Sequence, residues 1–340
     1  MTDKIQIKKF DISDPENLVN KSILLMGTSG TGKTVIIRDF MNTLKDHVPF
    51  CKIISQTNSC NDSYTGIVPT KLIYDNVESK DIDDIIKGQE KRVNLYNIVN
   101  DLDTLKETMF VIDLERISAD KYYKMNNVYE QLLEKTNPAD KDELTATHKK
   151  EMIKFLKKEI KTLYNLNRSK IKLNEHQANV IKYLDFNPKM LLILDDCGSD
   201  AKKGWGKSTE INKLFYQGRH YHITTIIALQ SDKDLAPSLR KNAFVAIFTT
   251  AQCATGFFTA STNEFSKEEK EVAKSCISKI YYQSKGFKKL CYLRDNAEKF
   301  SYIEAKRRET FQYNPILFEA YKEKKQRPVL SNNFLRNMIG

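Results

Sequence analysis

The chain has 340 residues, of which 40% are hydrophobic and 10% aromatic, and its formal net charge is +11. This composition is typical of a globular protein with a substantial core and excludes a disordered chain. The excess of lysine is spread along the chain, which fits either a solvated surface or a partner made of phosphates.

Nothing in the sequence indicates secretion, a membrane span or a metal-binding cysteine cluster. Met1–Lys4 lacks the apolar core of a signal peptide, and no uncharged apolar run reaches about 18 residues. The six cysteines show no CxxC spacing, so neither a zinc site nor a thioredoxin-like site is indicated. We therefore expect a protein of an intracellular aqueous compartment with reduced cysteines.

In chain order, the first predicted elements alternate between strand and helix. The apolar run Ile23–Met26 predicts a strand that ends at Gly27, and the apolar residues between Val35 and Leu44 predict the helix that follows. The elements predicted next are strands at Cys51–Ser55, Lys71–Tyr74 and Phe110–Asp113, with a helix over Ser79–Asn100 between the last two.

Residues 120–185 interrupt this alternation. Met152, Leu156 and Ile160 recur at helical spacing among lysines and glutamates, and Pro138 marks a helix start. We expect an α-helical insertion, a hairpin that packs on its own core, with a coiled-coil partner helix as the alternative. The whole chain, residues 1–340, is interpreted as a single domain that contains this insertion and ends in a basic C-terminal tail, 319–340.

The strand pattern resumes after the insertion. Met190–Leu194 is a continuous apolar run, as expected of a strand buried on both faces of a parallel sheet, and Thr224–Leu229 and Ala243–Phe248 are two more such runs. Leu290–Leu293 and Ser301–Ile303 are candidate edge strands.

A phosphate-binding loop lies between the first strand and the first helix. The segment fits GxxxxGK[ST] at every position: Gly27, Thr28, Ser29, Gly30, Thr31, Gly32, Lys33 and Thr34. Glycines let backbone N–H groups curl around phosphate oxygens, and the N-terminus of the following helix adds the positive end of its dipole. Lys33 is predicted to reach the β- and γ-phosphates, and the Thr34 hydroxyl to bind Mg²⁺.

A P-loop needs an acid at the end of a neighbouring strand to hold the metal. Asp195 and Asp196 directly follow the apolar run Met190–Leu194, so we assign Asp195 to Mg²⁺, through water, and Asp196 to the attacking water as general base. The alternative acid is Asp113, after the shorter run that starts at Phe110.

Two other segments bear on the nucleotide site. Gln230 closes the strand Thr224–Leu229 and is a candidate γ-phosphate sensor or water-positioning residue, because strand ends face the ligand crevice of an open α/β sheet. Gly206-Lys207-Ser208 imitates the end of a second P-loop, but Ala201 stands where the first glycine would be and no strand leads into it. We therefore expect one nucleotide site.

These motifs resemble the FtsK–HerA superfamily of DNA-pumping motors, in the additional-strand class of P-loop ATPases. Within that superfamily the chain looks like the genome-packaging ATPases of poxviruses and other large cytoplasmic DNA viruses. The resemblance rests on GTSGTGKT at 27–34, LLILDDC at 191–197, and GRHYHITTIIALQS at 218–231, which runs on into LAPSLRKN at 235–242. It covers about residues 20–55 and 186–250. The family often has Asp-Glu where this chain has Asp195-Asp196.

The resemblance implies a three-layer α/β fold with a mainly parallel sheet in the order 5-1-4-3-2. It also implies a ring-shaped homo-oligomer that hydrolyses ATP with Mg²⁺ and threads double-stranded DNA into a capsid. Each nucleotide would receive an arginine finger from a neighbouring subunit, for which Arg240 and Arg219 are the candidates. The implied partners are viral capsid or membrane-associated virion proteins. The implied location is the host cytoplasm at sites of virus assembly, and the virion.

DNA contacts are predicted for the loop that follows the carboxylate strand. It combines lysines with the only tryptophan of the chain: Lys202, Lys203, Trp205 and Lys207. A solvated basic turn explains the same lysines.

Two other classes of protein also carry a P-loop. A small-molecule or nucleotide kinase is the main alternative, although such enzymes usually add an arginine-rich lid. A GTP-dependent switch would carry [NT]KxD, and the segment Ser231-Asp232-Lys233-Asp234 has a different order.

Overall fold

The computed structural model of the protein describes residues 6–76, 79–197 and 209–323. The described residues fall into two compact units. The first combines residues before Arg92 with those from Pro188 onward, and the second is Arg92–Asn187.

The strands of the described residues all belong to one sheet in the first unit. They are β1 (Lys8–Lys9), β2 (Ser22–Met26), β3 (Phe50–Ser55), β4 (Ile73–Tyr74), β5 (Met190–Asp195), β6 (Ile223–Leu229), β7 (Val245–Phe248), β8 (Lys288–Leu293) and β9 (Phe300–Glu304).

The α-helices of the described residues follow in chain order. They are α1 (Lys33–Leu44), α2 (Asn58–Asn61), α3 (Ser79–Ile98), α4 (Leu102–Ile112), α5 (Ile117–Lys135), α6 (Lys141–Asn167), α7 (Glu175–Lys182), α8 (Thr209–Gln217), α9 (Pro237–Lys241), α10 (Ala251–Thr259), α11 (Lys267–Ser278) and α12 (Pro315–Glu323). A five-residue π-helical turn, Lys279–Gln283, continues α11.

The centre of the sheet is parallel and buried on both faces. Strand β2 pairs in parallel with β6 and β7, and β5 pairs in parallel with β6 and β3. Every residue of β5, β6 and β7 is buried, as the unbroken apolar runs predict. All five strands therefore end at the same side of the sheet, here called the carboxyl edge, and begin at the opposite side, the amino edge.

The predicted order of five strands is not the order of the whole sheet. The observed sheet has nine strands in the order β1-β9-β8-β7-β2-β6-β5-β3-β4. Strands β8 and β9 extend it antiparallel beyond β7, and β1 and β4 are two-residue strands at its outer edges. The parallel centre β7-β2-β6-β5-β3 reads 5-1-4-3-2 only when these five strands are numbered by themselves.

Two strand predictions are corrected by the structure. The run Phe110–Asp113 is not a strand, because its first three residues form the last turn of α4. Leu105, Met109 and Ile112 lie on one buried helical face, and the Asp101 side chain caps the helix by accepting from Thr104 N–H. Of the predicted strand at 71–74, only β4 remains, and a short 3₁₀ turn precedes it.

The second unit is helical. It contains α4, α5, α6, α7 and the end of α3, so it extends beyond the predicted insertion, 120–185. Its buried core is apolar and consists mainly of Leu105, Met109, Ile112, Met152, Leu156, Ile160, Val180 and Leu184. Helices α4, α6 and α7 supply most of this core, and α5 contributes Tyr122.

Candidate functional site

The P-loop connects β2 to α1 through two glycines with left-handed backbones. Gly30 has φ +75° and Gly32, the N-cap of α1, has φ +98°. Side chains other than glycine rarely adopt these angles, so both glycines are needed for the loop to curl. The curled loop leads directly into the N-terminus of a 12-residue helix, whose first N–H groups and dipole favour an anion.

Gly27 is required because a neighbouring strand end approaches it closely. Its N–H donates to Leu229 O at 3.0 Å, which joins the loop to the end of β6. A Cβ added at Gly27 would lie 1.7 Å from Thr249 Oγ1, just beyond β7. Thr249 Oγ1 in turn lies 2.6 Å from Thr31 Oγ1. The ends of β6 and β7 therefore support the loop from both sides.

Lys33 is held inside the curl of the loop. It is 6% exposed, and its Nζ donates to Gly27 O at 2.7 Å and to Thr28 O at 3.3 Å. The same Nζ lies 3.5 Å from Asp196 Oδ1, an ion-pair distance longer than a strong hydrogen bond. The ammonium group thus links the P-loop to the carboxylates at the end of β5.

Asp195, the last residue of β5, is a buried acid. It is 3% exposed, and its Oδ2 accepts from Tyr64 Oη at 2.7 Å. Its Oδ1 is buried without a hydrogen-bond partner among the described residues. Burial raises the pKa of Asp195 from its ordinary 3.8 to about 6, against the hydrogen bond from Tyr64, which lowers it.

Tyr64 is fully buried beside this acid. Burial, followed by the charge of Asp195, raises the pKa of the Tyr64 hydroxyl well above its usual 10. The hydroxyl therefore stays protonated and remains a hydrogen-bond donor to Asp195.

Asp196 turns its carboxylate toward the P-loop. Its φ of +55° is left-handed, a conformation that aspartate tolerates better than most residues. Thr57 Oγ1 donates to Asp196 Oδ2 at 3.4 Å, and Oδ1 faces Lys33. This turn of the backbone separates the surroundings of the two acids: Asp195 lies against Tyr64, and Asp196 lies beside the lysine.

The side chains present fit a magnesium ion with a triphosphate. The unpartnered Oδ1 of Asp195 is a hard oxygen ligand, and Thr34 follows Lys33 in the first turn of α1. No group of three or more His, Cys, Asp or Glu suited to a metal occurs in the part of the chain that the structure describes. Magnesium characteristically keeps waters and binds through one or two protein ligands plus phosphates, so this small set is sufficient.

Gln230 lies at the carboxyl edge between the loop and the acids. It directly follows β6, which pairs with β2 on one side and β5 on the other, and it is exposed. The sheet thus brings three sequence-predicted features to one edge: the P-loop, the Asp195-Asp196 pair and Gln230. Asp113 ends a helix of the second unit and accepts from Ala119 N–H at 2.8 Å.

The two candidate arginine fingers lie at the amino edge, opposite the P-loop of their own chain. Arg219 is exposed in the turn before β6, and it lines a cavity of about 410 Å³ together with Ser22, the first residue of β2. Arg240 is 4% exposed in α9, and its Nη2 donates to Thr262 Oγ1 at 3.2 Å. The seven residues of β6 separate the two edges by roughly 20 Å. Of the two arginines, only Arg219 is exposed.

The predicted DNA-contact residues Lys202, Lys203, Trp205 and Lys207 lie outside the described residues. The same holds for Gly206-Lys207-Ser208 and for residues 324–340 of the basic tail.

Sequence reasoning missed three residues of the site: Thr57, Tyr64 and Thr249. For Thr249 a signal existed, because it follows a buried strand just as Gln230 does. Thr57 and Tyr64 lie between β3 and β4 in a stretch without a recognisable motif. Only the fold brings them to the acids at the end of β5.

No described helix is both long and apolar enough to span a bilayer.

No family model matches the chain. Solved structures that align with most of the chain include the genome-packaging NTPase B204 of Sulfolobus turreted icosahedral virus 2. That similarity has 14% identity and a TM-score of 0.38, over 84% of this chain and 97% of B204. The conjugation coupling protein TcpA of pCW3 has 13% identity and a TM-score of 0.41, over 93% of this chain and 66% of TcpA. Both TM-scores are below 0.5.

Among curated proteins, the uncharacterised protein B354L of African swine fever virus, isolate Kenya 1950, is 31% identical over 293 residues. The match covers 82% of this chain and 80% of B354L. Protein 075L of invertebrate iridescent virus 6 is 23% identical over 251 residues, which are 71% of this chain and 61% of that protein. Because the similarity to B354L is high and extends over most of both proteins, the chain belongs to the same family as B354L of African swine fever virus.

Proposed function

We propose that this chain is an ATPase that translocates double-stranded DNA and packages a viral genome as a ring-shaped homo-oligomer. The observation that carries the proposal is the meeting of Lys33, Asp195 and Asp196 at the carboxyl edge of the sheet. Lys33 Nζ lies 3.5 Å from Asp196 Oδ1, and a buried Asp195 stands beside them in sequence. This is the set of charges that in-line hydrolysis of a triphosphate requires.

The residues of the site have separate roles in the reaction. Lys33 exchanges its carbonyl partners for the β- and γ-phosphate oxygens when nucleotide binds. Asp196 orients a water and accepts its proton as the new bond from oxygen to the γ-phosphorus forms and the bond to the β,γ-bridging oxygen breaks. Gln230 positions that water or senses the γ-phosphate. The products are ADP and phosphate.

Thr34 and Asp195 would hold Mg²⁺, which supplies positive charge to the phosphate oxygens. Asp195 has to be ionised to do so, and its raised pKa makes ionisation costly for the isolated protein. The Tyr64 hydrogen bond favours the ionised form and fixes the orientation of the carboxylate.

The proposal that this ATPase moves DNA is supported by the motifs at 27–34, 191–197 and 218–242, which resemble those of viral packaging ATPases. The family assignment to a viral protein is consistent with this reading. We further propose that Arg219 completes the site of a neighbouring subunit, since it is exposed and distant from its own P-loop. Capsid or virion-membrane proteins are the proposed docking partners, and assembly sites in the host cytoplasm the proposed location.

The proposal is tested by steady-state ATP hydrolysis with and without linear double-stranded DNA, across protein concentrations. We expect stimulation by DNA that rises cooperatively with protein concentration. Lys33→Ala serves as the inactive control, and Asp196→Glu, which restores the family's usual Asp-Glu pair, is expected to remain active where Asp196→Asn is not. Hydrolysis that is indifferent to DNA and to concentration would favour a kinase-like enzyme instead.

A further inference from the structure

An exposed aromatic and basic loop leads into β8. The segment from Tyr282, in the π-helical turn, to Lys288, the first residue of β8, is here called the Tyr282–Lys288 loop. In it Phe287 is 85% exposed and Tyr282 is 76% exposed. Lys285 is exposed between them, and Gly286 turns the chain with φ +91°. Two large rings this exposed on one short loop are unusual for a surface without a binding role.

The loop lies at the carboxyl edge, where the nucleotide site is. Strand β8 runs antiparallel to β7, and Leu290 pairs with Phe248, the last residue of β7. The beginning of β8 therefore projects beyond the same strand ends that carry the P-loop and Gln230. The amino edge, with Arg219, lies at the other end of these strands.

The base of the loop is bonded to the residues that support the P-loop. Lys289 Nζ donates to Thr249 O at 2.7 Å, and the side chain of Thr249 contacts Thr31 in the P-loop at 2.6 Å. On the other side, Tyr281 Oη donates to Phe248 O and accepts from Leu290 N–H at 3.1 Å. A short chain of contacts thus connects the loop to the phosphate-binding loop.

Positive charge predominates around the loop, and the nearest acid, Glu304, lies opposite Lys288 in the sheet. Residues 272–294 contain five lysines and one arginine but no aspartate or glutamate. Strand β9 ends beside the start of β8 and is followed by Lys306 and Arg307, both exposed. Glu304, at the end of β9, is partly neutralised by Lys9 at 3.7 Å, and Glu309 follows further along. A polyanion is the ligand that this surface complements.

We propose that the Tyr282–Lys288 loop binds the backbone of double-stranded DNA. Lys285 and Lys288 contact phosphates, and Phe287 and Tyr282 pack against the sugars beside them. The inference deepens the proposed function and rests on it, since it names residues that hold the DNA being moved. Thr249 connects this DNA-binding loop to the site where the γ-phosphate is cleaved.

The test measures the affinity of the full chain for a linear duplex as a function of salt. Each phosphate contact contributes a slope of about −0.9 in log K against log[salt], so Lys285→Ala/Lys288→Ala should flatten the slope by roughly 1.8. Phe287→Ala should weaken binding severalfold at unchanged slope, and Phe287→Tyr should restore it. The matched control is Lys267→Ala/Lys270→Ala, on the first turn of α11 at the amino edge, which should change neither quantity.

The outcomes separate this inference from the proposed function. If the wild-type chain binds the duplex but the double variant keeps its affinity and slope, the loop is not the contact and the inference is wrong. If the wild-type chain does not bind duplex at all, the proposed function fails and the inference with it. If the double variant instead loses binding to phosphatidylserine vesicles while DNA binding is unchanged, the loop is a membrane contact. Unfolding midpoints equal to that of wild type would exclude misfolding as the cause of any loss.

Discussion

Replacing Asp195 by Asn should stabilise the protein while it strongly lowers the rate of ATP hydrolysis. The carboxylate is buried at the end of β5, and its burial raises its pKa from 3.8 to about 6. An acid with a raised pKa in the folded state destabilises the fold at every pH where the unfolded chain is ionised. Asparagine has nearly the same shape, keeps an oxygen that can accept from Tyr64, and carries no charge.

The magnitude follows from the two pKa values. A pKa near 6 in the folded state against 3.8 in the unfolded state corresponds to about 3 kcal/mol of unfolding free energy once the pH is well above 6. The same linkage reduces the gain to roughly 0.6 kcal/mol at pH 4, where the acid is largely protonated in the folded state. Loss of a ligand for Mg²⁺ should meanwhile lower ATP hydrolysis on the order of 10²-fold or more.

The assay is urea unfolding of wild type and Asp195→Asn at pH values from 4 to 8, without nucleotide or metal. The pH series is its own control, because the expected gain grows with pH only if ionisation of this acid is the cause. A variant that is no more stable than wild type at pH 8, or a gain that is the same at all pH values, would refute the reasoning.

Three further predictions concern the surroundings of the site. Gly27→Ala should weaken ATP binding at least tenfold and destabilise the fold by about 1–3 kcal/mol, because the added Cβ would overlap Thr249. An unchanged ATP affinity, measured by equilibrium binding, would contradict this prediction. Tyr64→Phe removes the hydrogen bond that lowers the pKa of Asp195, so the acidic limb of the ATPase pH profile should move up by about 1–2 pH units. An acidic limb that does not move would show that this hydrogen bond does not control the ionisation of Asp195. Arg219→Ala should lower DNA-stimulated ATP turnover about 10³-fold and leave the unfolding free energy unchanged, because Arg219 is exposed. Arg240→Ala should instead lower the unfolding free energy by about 2 kcal/mol or more, because Arg240 is buried. Mixing Arg219→Ala with Lys33→Ala subunits should restore part of the turnover if the arginine acts between subunits.

The parts of the site that the sequence predicts are those encoded by local patterns. The P-loop needs its glycines and lysine at fixed spacing, and a strand buried on both faces is recognisable as an unbroken apolar run such as Met190–Leu194. Gln230 is found the same way, as the polar residue at the end of β6. Because parallel strands end at one edge, these local assignments also predict which residues meet.

The remaining parts depend on packing that no local pattern encodes. Phe110–Ile112 has the composition of a strand, but its apolar residues continue the periodicity of a capped helix, so tertiary burial determines the outcome. Tyr64 reaches Asp195 only because the connection between β3 and β4 folds over the end of β5. The sequence names Arg240 as a candidate arginine finger, but it does not reveal that this side chain is buried and donates to Thr262.

The central claim is that ATP hydrolysis at the P-loop moves double-stranded DNA. The most direct measurement is displacement of a triplex-forming strand from a linear duplex in the presence of ATP and Mg²⁺. The proposed function predicts displacement by the wild-type protein and none by Lys33→Ala, at protein concentrations where DNA stimulates hydrolysis. Vigorous ATP hydrolysis by wild type on the same duplex, with the third strand left in place, would contradict it.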